Sequence, residues 1–243
     1  MRGSFTLAAS LCLALGLTQA QAQETKQDDM QVVPVNGMKA PDMLEYRHVW
    51  VGLETFDDNR KLAPGAELHF RVVPRRSANK QRALGDIALK IVGDGDPVQV
   101  PIAADGLLTM PRIQAAYDSK ALLVMNRRKG LYQTMPDIRT PGLPENVRRL
   151  GDLRLECKVL IAIVKEEIGF FAKAAINTLM MTTDWCTFKE MELQFWMPKD
   201  VESATLTHGE RRAEAKVEYG QAKAPLGDKS WPDDTLIEVK YEE

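Results

Sequence analysis

The stretch from residue 151 to residue 198 constrains the fold most, because three regular patterns follow one another there. Polar and apolar residues alternate strictly from Asp152 to Val159, which is typical of a strand with one buried face. A β-branched apolar run continues to Val164, as expected for a strand that is covered on both faces. We therefore predict a strand over 153–163. A helix is the open alternative, because Leu153, Cys157 and further apolar residues also recur at helical spacing.

The remainder of this stretch predicts a helix and a second strand. Apolar residues recur at i and i+4 over 168–181, with Lys173 and Asn177 on the other side, a pattern that indicates a helix. Alternation returns over 187–198 and ends at Pro198, which cannot donate to a sheet. The expected unit is strand–helix–strand, with one cysteine in its first strand and Cys186 just before its second strand.

The N-terminus has the features of a secretory signal peptide. Arg2 precedes an apolar run over 5–17, and an Ala-x-Ala motif ends at Ala22. We predict a signal peptide over 1–22 and a periplasmic or secreted protein.

Two other interpretations of the N-terminus fit less well. A membrane anchor would need a longer apolar run, and a lipoprotein signal would need a small residue where Leu11 precedes Cys12. No later segment has the roughly 18 uninterrupted apolar residues of a spanning helix, so we expect no transmembrane segment after cleavage.

Signal cleavage would leave Cys157 and Cys186 as the two remaining cysteines. Two cysteines in an exported chain most often pair, so we predict a disulfide between them. Such a bridge would stabilise the fold by roughly 3–4 kcal/mol in the loop-entropy account. Two buried free thiols are the alternative. We expect no metal site, because two cysteines do not complete a zinc tetrahedron and no histidine lies at ligand spacing from them.

The chain outside this stretch predicts an α+β fold of mainly antiparallel, sandwich-like sheets with two principal helices, 42–59 and 168–181. The first helix is indicated by the capping-box spacing of Asp42 and Glu45 and by an apolar stripe after them. Short apolar runs separated by turn residues indicate antiparallel strands. These runs lie at 66–73, 87–92, 98–102, 107–110, 122–125, 204–207, 213–219 and 236–241.

The predicted organisation has four parts. Residues 1–22 are the signal peptide, and 23–40 form a polar, aperiodic and flexible lead-in. Residues 41–143 hold the N-terminal helix and a β-rich region, and 144–243 hold the central unit and the C-terminal strands. Proline-rich residues 136–144 are expected to be the linking loop, followed by a helical turn over 145–150.

Residues 100–111 read Val-Pro-Ile-Ala-Ala-Asp-Gly-Leu-Leu-Thr-Met-Pro. This segment resembles the D-G-x-F-x-L-P hairpin of transthyretin-like and carboxypeptidase-regulatory-like β-sandwich modules, with Leu108 where those modules usually have Phe. The resemblance implies a seven-stranded Greek-key sandwich, usually a non-catalytic accessory or adhesion module. The motif is structural, so it transfers no functional residue to this chain.

A cluster of basic residues without an acid among them is the first candidate binding site. It consists of Arg71, Arg75, Arg76, Lys80 and Arg82. This cluster is either a patch for anionic envelope material or a solvated loop between strands. Trp231 is the second candidate, either filling the edge of a core or facing a ligand.

Other kinds of site are not indicated. Five aspartates in turn-like contexts suggest no calcium, because an EF-hand loop would need a twelfth-position Glu. They are Asp94, Asp96, Asp105, Asp233 and Asp234. No serine elbow, zinc-protease motif, phosphate loop or dinucleotide fingerprint occurs, so we name no catalytic residue and no cofactor.

These observations leave two hypotheses of function. The net charge of −2 gives no support for nucleic-acid binding. We expect a non-enzymatic exported module that binds a protein or an envelope component. The alternative is a periplasmic hydrolase that uses paired carboxylates, whose pairing is spatial and leaves no sequence motif.

Overall fold

The computed structural model describes residues 40–75 and 84–243, and these belong to a single unit. The predicted signal peptide and the lead-in up to residue 39 lie outside the described residues. The described α-helices are α1 (Tyr46–Asp58), α2 (Gln114–Asp118), α3 (Leu150–Glu167) and α4 (Phe170–Met180). Short 3-10 helices cover Arg60–Leu62 and Trp185–Thr187.

The described strands number fourteen, and all of their pairings are antiparallel. They are β1 (Pro41–Glu45), β2 (Glu67–Pro74), β3 (Leu89–Val92), β4 (Val98–Val100), β5 (Leu107–Leu108), β6 (Leu122–Arg128), β7 (Tyr132–Arg139), β8 (Val147–Arg149), β9 (Glu192–Gln194), β10 (Val201–His208), β11 (Arg211–Glu214), β12 (Val217–Glu218), β13 (Gln221–Pro225) and β14 (Leu236–Tyr241). Four sheets result, in the orders β1-β6-β3-β4, β5-β2-β7, β11-β10-β14-β8 and β12-β13-β9. The predicted α+β class with sandwich-like antiparallel sheets is confirmed.

The first hydrophobic core lies among the two N-terminal sheets, α1, α2 and one face of α3. Phe70 and Ile138 enter it from one sheet, and Leu89 and Met125 enter it from the other. Burial of such side chains contributes roughly 1.5–3 kcal/mol each. Gly52 of α1 allows this helix to approach α3 closely, because an added Cβ would lie 2.8 Å from the side chain of Ile163.

The second hydrophobic core lies on the opposite face of α3. It includes Leu150, Leu153 and Cys157 from this helix, and side chains from the two C-terminal sheets such as Leu206 and Ala224. The long helix α3 is therefore shared by both cores, and it holds the N-terminal and C-terminal halves of the described chain together.

The predicted strand over 153–163 is wrong, because these residues form the middle of α3. Residues two apart on a helix point about 200° apart. Leu153 and Cys157 therefore face the second core, while Leu155 and Val159 face the first core. Two interleaved apolar stripes on a helix produce the same polar–apolar alternation as one strand. The predicted strand–helix–strand unit is therefore two helices, α3 and α4, followed by the short strand β9.

Three smaller expectations also differ from the structure. The first helix begins at Tyr46 and ends at Asp58, because Asp42 and Glu45 belong to β1 and pair with β6 instead of capping a helix. The predicted linking loop over 136–144 begins as the end of β7, and β8 replaces the predicted helical turn. The second predicted helix is confirmed, with ends at Phe170 and Met180.

The segment with the transthyretin-like motif carries the chain from one N-terminal sheet to the other. Before the turn, β4 pairs with β3, whereas β5 after the turn pairs with β2. Gly106 closes the turn with φ +86°, and its amide donates to the carbonyl of Ala103. An added Cβ there would lie 2.6 Å from the carbonyl oxygen of Val72, so a glycine is needed at this position.

Candidate functional site

A group of ion pairs, most of whose members are buried, lies where β2, β7, β8 and α3 meet. We call it the arginine–carboxylate cluster, and it consists of Arg71, Asp105, Asp137, Arg139, Arg148 and Glu156. It lines two cavities, one of about 340 Å³ and one of about 560 Å³. Burying a charge costs free energy unless the charge is paired. The cost of this cluster therefore depends on how each of its charges is paired.

Asp137 is the centre of the cluster. One carboxylate oxygen accepts from Nε of Arg71 at 2.7 Å, and the other accepts from Nε of Arg139 at 3.0 Å. Burial opposes ionisation of this carboxyl, but the neighbouring guanidinium groups of Arg139, Arg148 and Arg71 outweigh it and lower the pKa of Asp137. The group is therefore a carboxylate at neutral pH.

Glu156 of α3 behaves in the opposite way. Its Oε1 accepts from the amide of Ile138 at 2.7 Å and from Nη2 of Arg148 at 2.5 Å. Burial nevertheless dominates, and with the nearby charge of Asp137 it raises the pKa of Glu156 to about 7. A side chain of this kind changes charge near neutral pH, unlike an ordinary glutamate.

Trp196 covers the cluster from the C-terminal half of the chain. Its ring centroid lies 3.8 Å from the guanidinium carbon of Arg71 and 5.9 Å from that of Arg139. Trp196 lies between Phe195 and Met197, both of which point into the second core. The alternation that the sequence displays there is thus real, and it directs the tryptophan toward the charged cavities.

The two described members of the predicted basic patch, Arg71 and Arg75, do not share one exposed surface. Arg71 is buried, and it pairs with Asp105 and Asp137. Arg75 is exposed and lines the 340 Å³ cavity. The other three predicted members, Arg76, Lys80 and Arg82, lie outside the described residues. Sequence reasoning identified Arg71 but missed its acidic partners, because they lie 34 and 66 residues away in the chain.

Trp231 is 4% exposed and packs in the second core. This position corresponds to the core-edge alternative. The guanidinium carbon of Arg211 stacks 3.6 Å from its ring centroid.

The predicted disulfide between Cys157 and Cys186 is present, with α-carbons 5.9 Å apart. It joins α3 to the 3-10 helix that follows α4, not two strands. Two of the five aspartates in turn-like contexts are ion-paired, Asp105 with Arg71 and Asp233 with Arg154, and a carboxylate oxygen of Asp234 lies 3.3 Å from Nε2 of His208. Residues 40–75 and 84–243 hold no group of three or more His, Cys, Asp or Glu side chains that could bind a metal ion.

A second candidate site is the exposed side of α4. The large side chains of Phe170, Phe171, Leu179 and the adjacent Met181 are 76%, 86%, 80% and 88% exposed. Smaller exposed residues complete the same side, which we call the outer face of α4: Ala172, Ala174, Ala175 and Thr178. No charged residue lies on this face, which spans an arc of about 200° at 100° per residue.

Two polar residues of α4, Lys173 and Asn177, lie on the side opposite the outer face, together with half-buried Ile176 and Met180. Asn177 accepts from the indole N–H of Trp185 at 2.7 Å, and Lys173 lies 3.9 Å from Glu166. The inner side of α4 is therefore mixed in polarity and half-buried, whereas its exposed side is almost entirely apolar, unlike that of a usual surface helix. The outer face of α4 is therefore a candidate interaction site.

Comparison of the chain with protein-family models, with curated proteins and with solved structures gives no match. The resemblance of residues 100–111 to transthyretin-like modules stays a prediction. In the described ranges, no helix combines the length and the hydropathy that a membrane crossing requires.

Proposed function

We propose that the protein is an exported, non-enzymatic module that binds the envelope, and that the component it binds is the surface of a lipid bilayer. The single observation that carries this proposal is the outer face of α4. The signal-like pattern over residues 1–22 and a disulfide, which persists in oxidising compartments, support export.

The chemistry of the outer face favours hydrocarbon as the partner. The face has no charge, and Thr178, its single polar side chain, already donates its hydroxyl to the carbonyl of Ala174. A partner protein normally supplies a rim of hydrogen bonds around an apolar centre, and this face has no side-chain groups left to receive them. The hydrocarbon of a bilayer forms no hydrogen bonds, and a helix can lie in the membrane interface with its apolar side in the lipid.

A second copy of the chain is a poorer occupant. A helix of 11 residues is about 16 Å long and about 10 Å wide, so the outer face covers a few hundred Å². A stable interface buries roughly 800 Å² on each partner. In addition, two convex faces would touch over only part of their arc, whereas lipid surrounds the whole arc.

The charges beside α4 predict how binding responds to salt. Lys165 and Lys173 lie beside Glu166 and Glu167, and Lys158 pairs with Asp184 at 2.6 Å. These charges sum to zero, so attraction to anionic lipid should contribute little. Binding should therefore be driven by apolar burial and should be nearly independent of ionic strength.

The test is vesicle flotation of the secreted form, which begins after Ala22. We expect binding to phosphatidylcholine vesicles, and similar binding when phosphatidylglycerol is added or when salt is raised. Phe171→Ser should lower the partition constant by at least about tenfold, since burial of a Phe side chain contributes roughly 1.5–3 kcal/mol. Val98→Ser, at a less exposed apolar residue outside α4, is the matched control and should bind normally.

Three outcomes would refute the proposal. They are no flotation with either vesicle, flotation only with anionic vesicles at low salt, and equal losses for Phe171→Ser and Val98→Ser. A concentration-dependent dimer that Phe171→Ser dissociates would assign the outer face to a second copy instead.

The second candidate function is a hydrolase that uses paired carboxylates. It is favoured by one observation. Asp137 and Glu156 line the same 340 Å³ cavity, and their pKa values are shifted in opposite directions, as in acid and base partners. Against it, both oxygens of Asp137 already accept from arginines. Turnover of chromogenic glycosides that Glu156→Gln abolishes would favour the hydrolase over the binding module.

A further inference from the structure

The larger cavity beside the arginine–carboxylate cluster is lined by two arginines, each of which carries one buried donor without an acceptor among the described residues. Arg148 is 2% exposed, and its Nε has no hydrogen-bond partner among the described residues. The same holds for Nη2 of Arg139, which is also buried. Both arginines line the cavity of about 560 Å³. Two buried guanidinium N–H groups left unpaired cost free energy, and groups of this kind in a cavity point to a bound acceptor.

Two of the three acids that line this cavity are already hydrogen-bonded. Asp105 accepts from Nη1 of Arg71 at 2.9 Å. The two oxygens of Asp152 accept from the amide and the hydroxyl of Thr140 at 2.7 and 2.8 Å. Glu145 is exposed and has no side-chain ion pair among the described residues. The free donors therefore belong to arginines, and the free acceptor group is one carboxylate at the edge.

The rest of the lining is apolar. Leu143, Pro144, Val147 and Pro198 surround the cavity together with the ring of Trp196. A cavity of this size lies within the usual range for small-molecule sites, roughly 300–1,000 Å³. An inorganic ion would use only the arginines, whereas a molecule with an apolar body and one anionic head would use both parts of the lining.

We propose that this cavity is a binding site for a small organic carboxylate, whose oxygens accept from Arg148 and Arg139 and whose apolar body lies against Trp196 and the two prolines. Guanidinium groups recognise the planar carboxylate through paired N–H donors. This site is independent of the outer face of α4, and neither proposal requires the other.

The test uses benzoate as the probe, followed at the indole N–H signal of Trp196 in a nitrogen-15 NMR titration. The chain has four tryptophans, and Trp196→Phe identifies the signal. We expect saturable shifts with benzoate and weaker or no shifts with benzyl alcohol, which lacks the charge. Inorganic phosphate should bind more weakly than benzoate, because it cannot use the apolar lining.

Variants at the rim test the assignment without removing buried Arg148. Arg139→Gln should weaken benzoate binding at least tenfold, and Arg139→Lys should weaken it less, since it keeps the charge but loses the paired donors. Glu145→Gln should strengthen binding, because it removes the carboxylate that repels the ligand. Arg211→Gln, at the guanidinium that stacks on Trp231, is the matched control and should leave affinity unchanged.

The proposal is overturned if benzoate and benzyl alcohol give equal shifts, if phosphate binds more tightly than benzoate, or if benzoate does not bind at all. It is also overturned if Arg139→Gln retains full affinity while its thermal unfolding is normal. If Arg139→Gln does not fold, Glu145→Gln is the deciding variant. Unchanged or weaker benzoate binding in Glu145→Gln would refute the proposed position of the carboxylate head.

Discussion

The helices α3 and α4 follow each other directly, yet their surroundings are opposite. In α3, charged residues occur at every second position from Asp152 to Lys158, and the helix is buried between two cores. In α4, Lys173 is the one charged residue, and the large apolar side chains are exposed. Residue composition therefore does not determine which helix is buried.

The difference in burial between α3 and α4 arises from the groups that each helix contacts. Buried charges in α3 are tolerated because each one is paired: Glu156 with Arg148, and Asp152 with Thr140. Arg154 likewise reaches Asp233 at 2.6 Å. No described core remains for the outer face of α4, because both cores are closed by other elements. A helix that leaves such a face in water is stable only if that cost is small or if a partner covers the face.

The largest expected effect concerns the disulfide, which joins α3 to the 3-10 helix that follows α4. Replacing Cys186 by serine should lower the free energy of unfolding by roughly 3–4 kcal/mol, because the bridge closes a loop with a sequence separation of 29 residues. Urea denaturation of the oxidised wild type and of Cys186→Ser measures this loss. Two titratable thiols in the denatured, unreduced wild type would show that the bridge is absent.

A second test concerns the buried charge of α3. Glu156 has a folded-state pKa of about 7, against an ordinary value of 4.5. Below pH 4.5 it is protonated in both states, and between pH 4.5 and 7 it is ionised mainly in the unfolded chain. Stability from this group is therefore complete at low pH and is lost as pH rises toward 7, by about 3 kcal/mol.

The measurement is the free energy of unfolding of the wild type and of Glu156→Gln between pH 5 and pH 8. The amide side chain of this variant would still offer an acceptor to the backbone N–H of Ile138 and to Arg148, but it cannot ionise. We expect the wild type to lose stability relative to the variant across this range. Parallel pH profiles would contradict the raised pKa.

Much of the fold was predictable from local pattern. Strands β10 and β14 follow from period-2 sequence, because each of them has one face in a core. The prediction for α3 was wrong, because the residue pattern of a helix that is buried on two sides resembles that of a strand. Asp152 and Glu156 added to the error, since an alternating charge normally indicates solvent.

The candidate sites were less predictable for a different reason. The disulfide required only the count of cysteines and the expectation of export. The arginine–carboxylate cluster depends on pairs such as Arg71 with Asp137, which adjoin only because β2 and β7 are neighbours. The apolar residues of α4 were visible in the sequence, but the pattern does not reveal which side of a helix the protein covers.

The smallest expected effect is on α4, and it is the sharpest test of its exposure. Phe171→Ser should change the free energy of unfolding by less than about 0.5 kcal/mol, because a surface substitution removes little packing and the two residues have similar helix propensities. Thermal or urea unfolding without lipid measures this. A loss of roughly 3–5 kcal/mol, as for a buried Phe, would mean that another surface already covers α4 in solution. With lipid vesicles present, the same substitution should instead reduce the stabilisation that the vesicles give, since a ligand that binds only the folded state raises its apparent stability.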